Sequence, residues 1–309
     1  MNEHKQFTVH HLRFEVEALT PLVLPAHAGP SIRGALWGAL QRHFCPESEA
    51  ATPSAAHKAI CPVCWLMATE KPGHERGRDV PRPYTVEPPL ASPPPGGGDG
   101  GGAEWRAWHF APGDRFAFGL TLFAQALNLF PYLVVAMPLM GQTGMGVHLR
   151  ENQDRSGNRQ RGRFALRRIE AINPLTGEAA AVMGEGQTMV QMPDVPVTAE
   201  DVAAVSEAMA GKLEEGRERV GIRFWTPTRI VDAGRLVKRP RLGPIVRRLL
   251  ERLDALRGEY AGEPPVAERD TLQALADKVR LVQDFTQWVD LKSRSRRLGR
   301  TTPVGGFVG

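Results

Sequence analysis

Three cysteines, Cys45, Cys61 and Cys64, form a C…C-x-x-C set. Thiolates at the short spacing supply one face of a tetrahedral zinc site. His57 or His74 would provide the fourth ligand. The competing account is three partly buried free thiols, since three cysteines do not make a disulfide framework. Arginine carries a second chemistry. The chain reads RENQDRSGNRQRGRFALRR from Arg150 to Arg168, RLVKRPRLGPIVRR from Arg235 to Arg248, and KSRSRRLGR from Lys292 to Arg300. One such run is a solvated surface or a localisation signal; three, two of them mixed with Gly and Ser, point to the phosphates of RNA or DNA. In an extended segment Arg159, Arg161 and Arg163 share one side, a spacing suited to a phosphate track. Trp105, Trp108 and Phe307 offer faces for base stacking, or the tryptophans cover a sheet.

These groups need a scaffold. The 309 residues suit two modest domains, and the net charge of +5 decides less than its distribution does. Twice an apolar strand runs through a Thr-Pro step into a basic amphipathic helix. The first copy is LRFEVEALTPLVL followed by SIRGALWGALQRHF; the second is GIRFWTPTRIV followed by residues 241–260. Neither copy carries a nucleotide fingerprint, which favours a long anionic ligand over a small cofactor.

The first half reads as strand 12–24, helix 31–44 capped by Ser31, strands 81–90 and 114–124, helix 128–140, a glycine-rich basic loop opening at 141–146, and strand 163–172. That order, βαββαβ, is the ferredoxin-like (RRM-like) arrangement. The expected fold class is therefore α+β with tandem ferredoxin-like domains. The first, with a Cys-bearing insertion, covers 1–175, a hairpin and helical linker covers 176–220, and a partial second domain covers 221–309, breaking off in its third strand. The polar start and the lack of an apolar run of spanning length predict a cytoplasmic protein.

The phrases PLVLPAHAGPSIRGALWGALQRHFC, CPVCWL, PRPYTVEPP, APGDRFAFGLTLF with NLFPYLVVAM, FWTPTRIVDAGRLVKRP, QWVDLKSRSRR and TPVGGFVG occur in this order. As a set they resemble the sixth Cas family of the RAMP superfamily, the CRISPR-associated endoribonucleases that process precursor crRNA. The resemblance spans 12–309. It implies binding of CRISPR repeat RNA, alongside other Cas proteins, and cleavage of precursor crRNA by the RNA's own 2′-hydroxyl, leaving 2′,3′-cyclic phosphate and 5′-hydroxyl ends. No cofactor serves the catalysis, and zinc would be structural. Family members usually continue past the segment matching GGFVG into a further helix and a strand with a glycine-rich loop. The alternative is a non-catalytic RAMP subunit that binds crRNA in an effector complex.

Such cleavage needs a base, an acid and a cation beside the phosphorane. The resemblance points first to His43, because the family's catalytic histidine lies on or just after the first helix; the competing account is a histidine at the border of the apolar stripe. His27 is second, in the loop where relatives present a tyrosine or lysine to the RNA; otherwise it is an exposed loop histidine. Arg42 would stabilise the phosphorane or merely solvate the helix, and Gly34 and Gly38 on its face would admit a backbone. The cations expected on the RNA are Arg33, Arg150, Arg159, Arg161, Arg163, Arg235, Lys238, Arg239, Lys292, Arg294 and Arg296.

Overall fold

The structure is a computed structural model that describes residues 7–50, 54–67, 81–90, 107–154, 156–214, 219–295 and 300–309. The chain divides into two compact units. One is drawn from Met1–Pro89, Ala107–Glu218 and Glu259–Gly262, the other from Leu90–Arg106, Arg219–Gly258 and Glu263–Gly309.

In chain order the first unit contains β1 (Val9–Ala18), β2 (Leu22–Leu24), α1 (Gly29–Phe44), α2 (Ala55–Ile60), α3 (Pro62–Met67), β3 (Tyr84–Glu87), β4 (Trp108–Phe110), β5 (Arg115–Phe123), a 3-10 turn (Ala124–Leu129), α4 (Phe130–Thr143), β6 (Met145–Gln153), β7 (Arg159–Gly162), β8 (Phe164–Ile172), β9 (Ala179–Met183) and α5 (Ala199–Glu214). The main sheet has the order β3-β5-β1-β8-β9, antiparallel throughout. With α1 and α4 as connections, β1-α1-β3-β5-α4-β8 is the ferredoxin-like βαββαβ path, and β9 adds an edge.

Alternation sets which face is covered. Leu12, Phe14, Val16 and Ala18 of β1 are fully buried, as are Leu120 of β5 and Ile169 of β8. Toward the C-terminal end of β1 the opposite face carries ion pairs: Arg115 reaches Glu15 at 3.4 Å and Glu185 at 2.6 Å, and Arg167 reaches Glu17 at 3.0 Å. Sheet-based RNA readers stack bases on aromatic residues at such positions. This face offers carboxylates there instead.

Several boundaries differ from expectation for visible reasons. The 12–24 strand breaks after Ala18, because the Leu19 amide turns to the Arg163 carbonyl at 2.8 Å and the Thr20 hydroxyl accepts from the Arg163 amide at 2.9 Å. β2 then leaves the sheet to pair with β4. Helix α1 starts at Gly29, ahead of Ser31, since Pro30 fits a first-turn position whose N–H has no helical partner. The 141–146 loop is instead the end of α4 and the start of β6. Ala124–Thr143 is long and apolar enough to cross a membrane, a length the sequence reading did not credit. Its apolar character is used for packing: Phe130, Leu133, Ala136, Met137 and Met140 are buried in the core shared with α1 and the sheet.

The second unit contains β10 (Ile230–Asp232), β11 (Arg235–Val237), α6 (Leu242–Tyr260, its last two residues counted with the first unit), α7 (Arg269–Lys278), β12 (Gln287–Val289), β13 (Lys292–Ser295), β14 (Arg300–Pro303) and β15 (Gly306–Val308). Its described strands form three two-stranded ladders, β10-β11, β12-β15 and β13-β14. A small core of Ile230, Val237 and Phe307 gathers Phe224, Ile245 and Trp288. Helix α7 ends at Lys278, with Val279 already extended.

Candidate nucleic-acid interface and metal centre

Helix α1 buries Ile32, Ala35, Leu36, Ala39 and Leu40 and leaves Arg33, Gly34, Arg42 and His43 exposed. His43 is thus a solvent-facing residue, not a border residue of the apolar stripe. It sits in the last turn, where the helix dipole favours a cation. Beside it Phe44 meets the Tyr132 ring edge-on at 5.6 Å. The Arg42 side chain folds back over Gly38, where an added Cβ would lie 3.0 Å from its Nη1. Its Nη2 donates to the Thr143 Oγ1 at 3.3 Å, at the C-terminal end of α4. Gly38 is therefore covered by Arg42, while Gly34 stays open.

His27 lies at the other end of the same helix. Sixteen residues of α-helix span about 24 Å, so His27 and His43 belong to different sites. Around His27 the fold collects residues that sequence reasoning missed. Arg82 and Tyr84, at the start of β3, are brought to the first turns of α1 by strand order. The Arg82 Nε donates to the Met67 carbonyl at 3.2 Å, and its charge reaches both Arg33 and Tyr84. Tyr84 is 4% exposed, and its hydroxyl is buried without a hydrogen-bond partner among the described residues. Burial pushes the Tyr84 phenol up, against an opposing pull from Arg82 and Arg33. Burial, and then Arg33, hold His27 below the usual histidine range, so its ring is neutral near pH 7. The available signal was an Arg-x-Tyr at a strand start with the tyrosine on the core parity.

The basic segment after α4 is the β6–β7 hairpin. Arg150 and Arg159 are exposed on it, Arg161 is half-buried opposite His148, and Arg163 is exposed between β7 and β8. Arg159 and Arg161 share one face of β7; Arg163 lies outside that strand, so the expected three-residue track is shortened by one. Asp154 shapes the turn, accepting from the Ser156 and Asn158 amides at 2.9 Å each, and these bonds hold its carboxyl below the usual range. Buried Asn152 anchors the hairpin by donating to the Pro21 carbonyl at 2.7 Å. The glycines serve packing. Gly146 has φ +86°, and a Cβ there would collide with the Val23 carbonyl.

In the second unit Arg235, Lys238 and Lys292 are exposed, and Arg239 is exposed beside Asp284 at 3.6 Å. Arg294 lies in β13. Arg296 falls outside the described residues, as do Trp105 and His74. Arg247 and Arg248 serve structure, bonding Asp232 and the Val231 carbonyl. Phe307 is fully buried against Phe224 and is withdrawn from any base-stacking role. Trp108 is half-buried in β4, its plane parallel to that of Phe110, which fits the sheet-covering account.

The cysteines converge. Cys45 follows α1, Cys61 separates α2 from α3, and Cys64 lies in α3; all three are buried. Their sulfurs and a His57 ring nitrogen lie within 4.8 Å of one another. Cys45 Sγ is 3.3 Å from His57 Nε2 and 3.9 Å from Cys64 Sγ. A zinc tetrahedron with bonds of about 2.3 Å to sulfur and 2.0 Å to nitrogen has edges of about 3.5–3.8 Å, so the donor set fits that ion. His57 is aimed by local structure. Ser54 caps α2 by accepting from the His57 amide at 3.2 Å, and Glu47, held by Ser54 at 2.8 Å, lies 3.9 Å from His57 Nδ1. Nε2 is left facing the thiols, the arrangement by which carboxylates orient ligating histidines. Without a metal, burial first and then the negative charge of the Cys61 and Cys45 thiolates push the Cys64 thiol up to about 12.

Residues 7–195 match the AF_1859_N family, described as an N-terminal domain. No curated protein matches the chain. Solved structures similar to it include two CRISPR-associated proteins. One, titled "Cas6 (TTHB231) product complex", shares 17% identity over 97% of this chain and 83% of that one, with a TM-score of 0.44. The other, a Csm3-Csm4 subcomplex of the type III-A CRISPR-Cas interference complex, shares 14% identity over 70% of this chain and 98% of that one, with a TM-score of 0.34.

Proposed function

The chain belongs to the AF_1859_N family, and from that premise, with the ordered phrases shared with the sixth Cas family, we propose that it binds CRISPR repeat RNA and cleaves precursor crRNA. The observation that carries this reading is the Arg42–Thr143 bond. It joins the helix end bearing exposed His43 to the root of the hairpin bearing Arg150 and Arg159. The hairpin that carries exposed arginines thus starts beside the helix end that carries His43. The charged open face of the sheet argues for RNA on the helix and hairpin side.

In this reading the His43 imidazole takes the proton of a 2′-hydroxyl. The 2′-oxygen bonds to the adjacent phosphorus as the bond from phosphorus to the 5′-oxygen breaks. The imidazolium returns a proton to the departing oxygen, so the step balances with a 2′,3′-cyclic phosphate and a 5′-hydroxyl as products. Arg42 offsets charge on the phosphorane. His27 takes no part at this phosphate. Cys45, His57, Cys61 and Cys64 hold a structural zinc ion that clips the end of α1 to α2 and α3. The protein works in the cytoplasm, and its first ferredoxin-like domain takes in β9 from the 176–220 segment, with 221–309 in a second domain.

The separation of His27 from His43 favours a second reading, a RAMP subunit that binds crRNA without cutting it. Fluorescence anisotropy and gel analysis on labelled repeat RNA separate the two. The cleavage reading expects His43→Ala to bind as the parent does while cutting is lost. Tight binding with no cutting by the parent selects the second reading, and equal affinity for a scrambled RNA overturns both.

A further inference from the structure

We infer that His27, Arg33, Arg82 and Tyr84 form a binding site for one backbone phosphate of an RNA strand, separate from the His43 end of α1. The RNA part of this inference rests on the proposed function; the phosphate part does not.

The donor set carries the argument. Two guanidiniums stand within electrostatic reach of each other, and no carboxylate pairs with either among the described residues. Arg82 is pinned through its Nε to the Met67 carbonyl, which leaves its two terminal nitrogens to donate. The Tyr84 hydroxyl, unpaired among the described residues in a side chain that is 4% exposed, adds a donor within electrostatic reach of both charges. A buried hydroxyl without a partner is costly, and two guanidiniums with no carboxylate beside them repel each other. A tetrahedral oxyanion satisfies all three at once, by charge-assisted bonds suited to the planar guanidinium fork. His27, neutral in the free protein, contributes a ring N–H. The N-terminal end of α1 adds positive potential without supplying amides, because the Ser31 and Ile32 amides are already bonded to the Ala28 carbonyl. A metal cation is disfavoured by the same inventory, which contains no anionic ligand.

The spacing gives the site a role. A phosphate held here lies roughly 20 Å from one at His43, several nucleotides along an extended strand, so it would fix which bond reaches His43 and leave the bond-breaking step to that end.

The test uses the full chain and inorganic phosphate. Thermal melts are compared in phosphate and in chloride at equal ionic strength, for the parent, Arg33→Gln and Tyr84→Phe. Both substitutions keep packing: Arg33 is exposed, and phenylalanine preserves the Tyr84 ring. The parent melts about 3 °C higher in phosphate saturating the site, and each variant loses most of that rise. For repeat RNA, Arg33→Gln weakens binding about tenfold and flattens the salt dependence by about one phosphate contact. A parent that gains nothing from phosphate, or variants that gain as much as the parent, overturn the site even if RNA binds well. A parent that responds to phosphate yet binds no RNA keeps the anion site and overturns RNA as its ligand.

Discussion

The Arg42 guanidinium donates to the Thr143 hydroxyl at 3.3 Å, and Thr143 in turn donates to the Leu139 carbonyl at 2.9 Å just before β6 begins. The bond spans α1 and α4 on their solvent side. Removing the Arg42 guanidinium should therefore cost function more than fold. Arg42→Ala is expected to slow repeat cleavage about 100-fold while the melting temperature stays within about 2 °C. Thr143→Val should slow cleavage a few-fold, with Thr143→Ser restoring it. Equal losses of activity and stability in Arg42→Ala would instead mark the arginine as structural.

The cysteine cluster predicts zinc in a one-to-one ratio with the chain, measured by elemental mass spectrometry after dialysis against zinc-free buffer. Cys61→Ser should lose the metal and melt at least about 5 °C lower, because binding energy at a structural zinc is folding energy. Glu47→Gln should keep the fold and weaken zinc about tenfold, through the orientation of His57. Background zinc in the parent removes the site.

Gly146 is the strictest backbone position in the hairpin. With φ +86° and the Val23 carbonyl in the way of a Cβ, Gly146→Ala should destabilise the first unit by about 2–4 kcal/mol in denaturant unfolding. A loss under about 0.5 kcal/mol would show that β2 and β6 do not meet this closely.

His10 faces the core of β1 at 6% exposure, with its Nδ1 unpaired among the described residues. Burial lowers its pKa, so the folded protein keeps it neutral while the unfolded chain protonates near 6.5. Its contribution is fully present above that value and declines as pH falls toward the lowered folded value. His10→Leu should raise stability by roughly 1 kcal/mol near pH 7. It should also flatten the decline as pH falls below about 6.5. An unchanged slope in the variant would assign the decline to other groups.

The first unit was legible in sequence because its signals are local. Alternation in 114–124 and the apolar stripe of α1 fixed element types, and their order fixed the ferredoxin-like path. What escaped needed partners far along the chain. The break after Ala18 depends on Arg163, more than a hundred residues away. The placement of His57 beside the thiols rests on Ser54 and Glu47, whose capping and aiming show only once α2 is formed. Gly144 and Gly146 read as part of a glycine-rich loop because glycine spacing alone does not say which backbone comes close. Arg82 and Tyr84 gained meaning only when β3 was set against α1.

The central claim is tested most directly by incubating the chain with end-labelled repeat RNA in EDTA and identifying the product ends. The account predicts a single cut within the repeat, with a 2′,3′-cyclic phosphate on one product, a 5′-hydroxyl on the other, and no cut by His43→Ala. Undiminished cleavage by His43→Ala, or products bearing a 3′-hydroxyl and a 5′-phosphate, would contradict it.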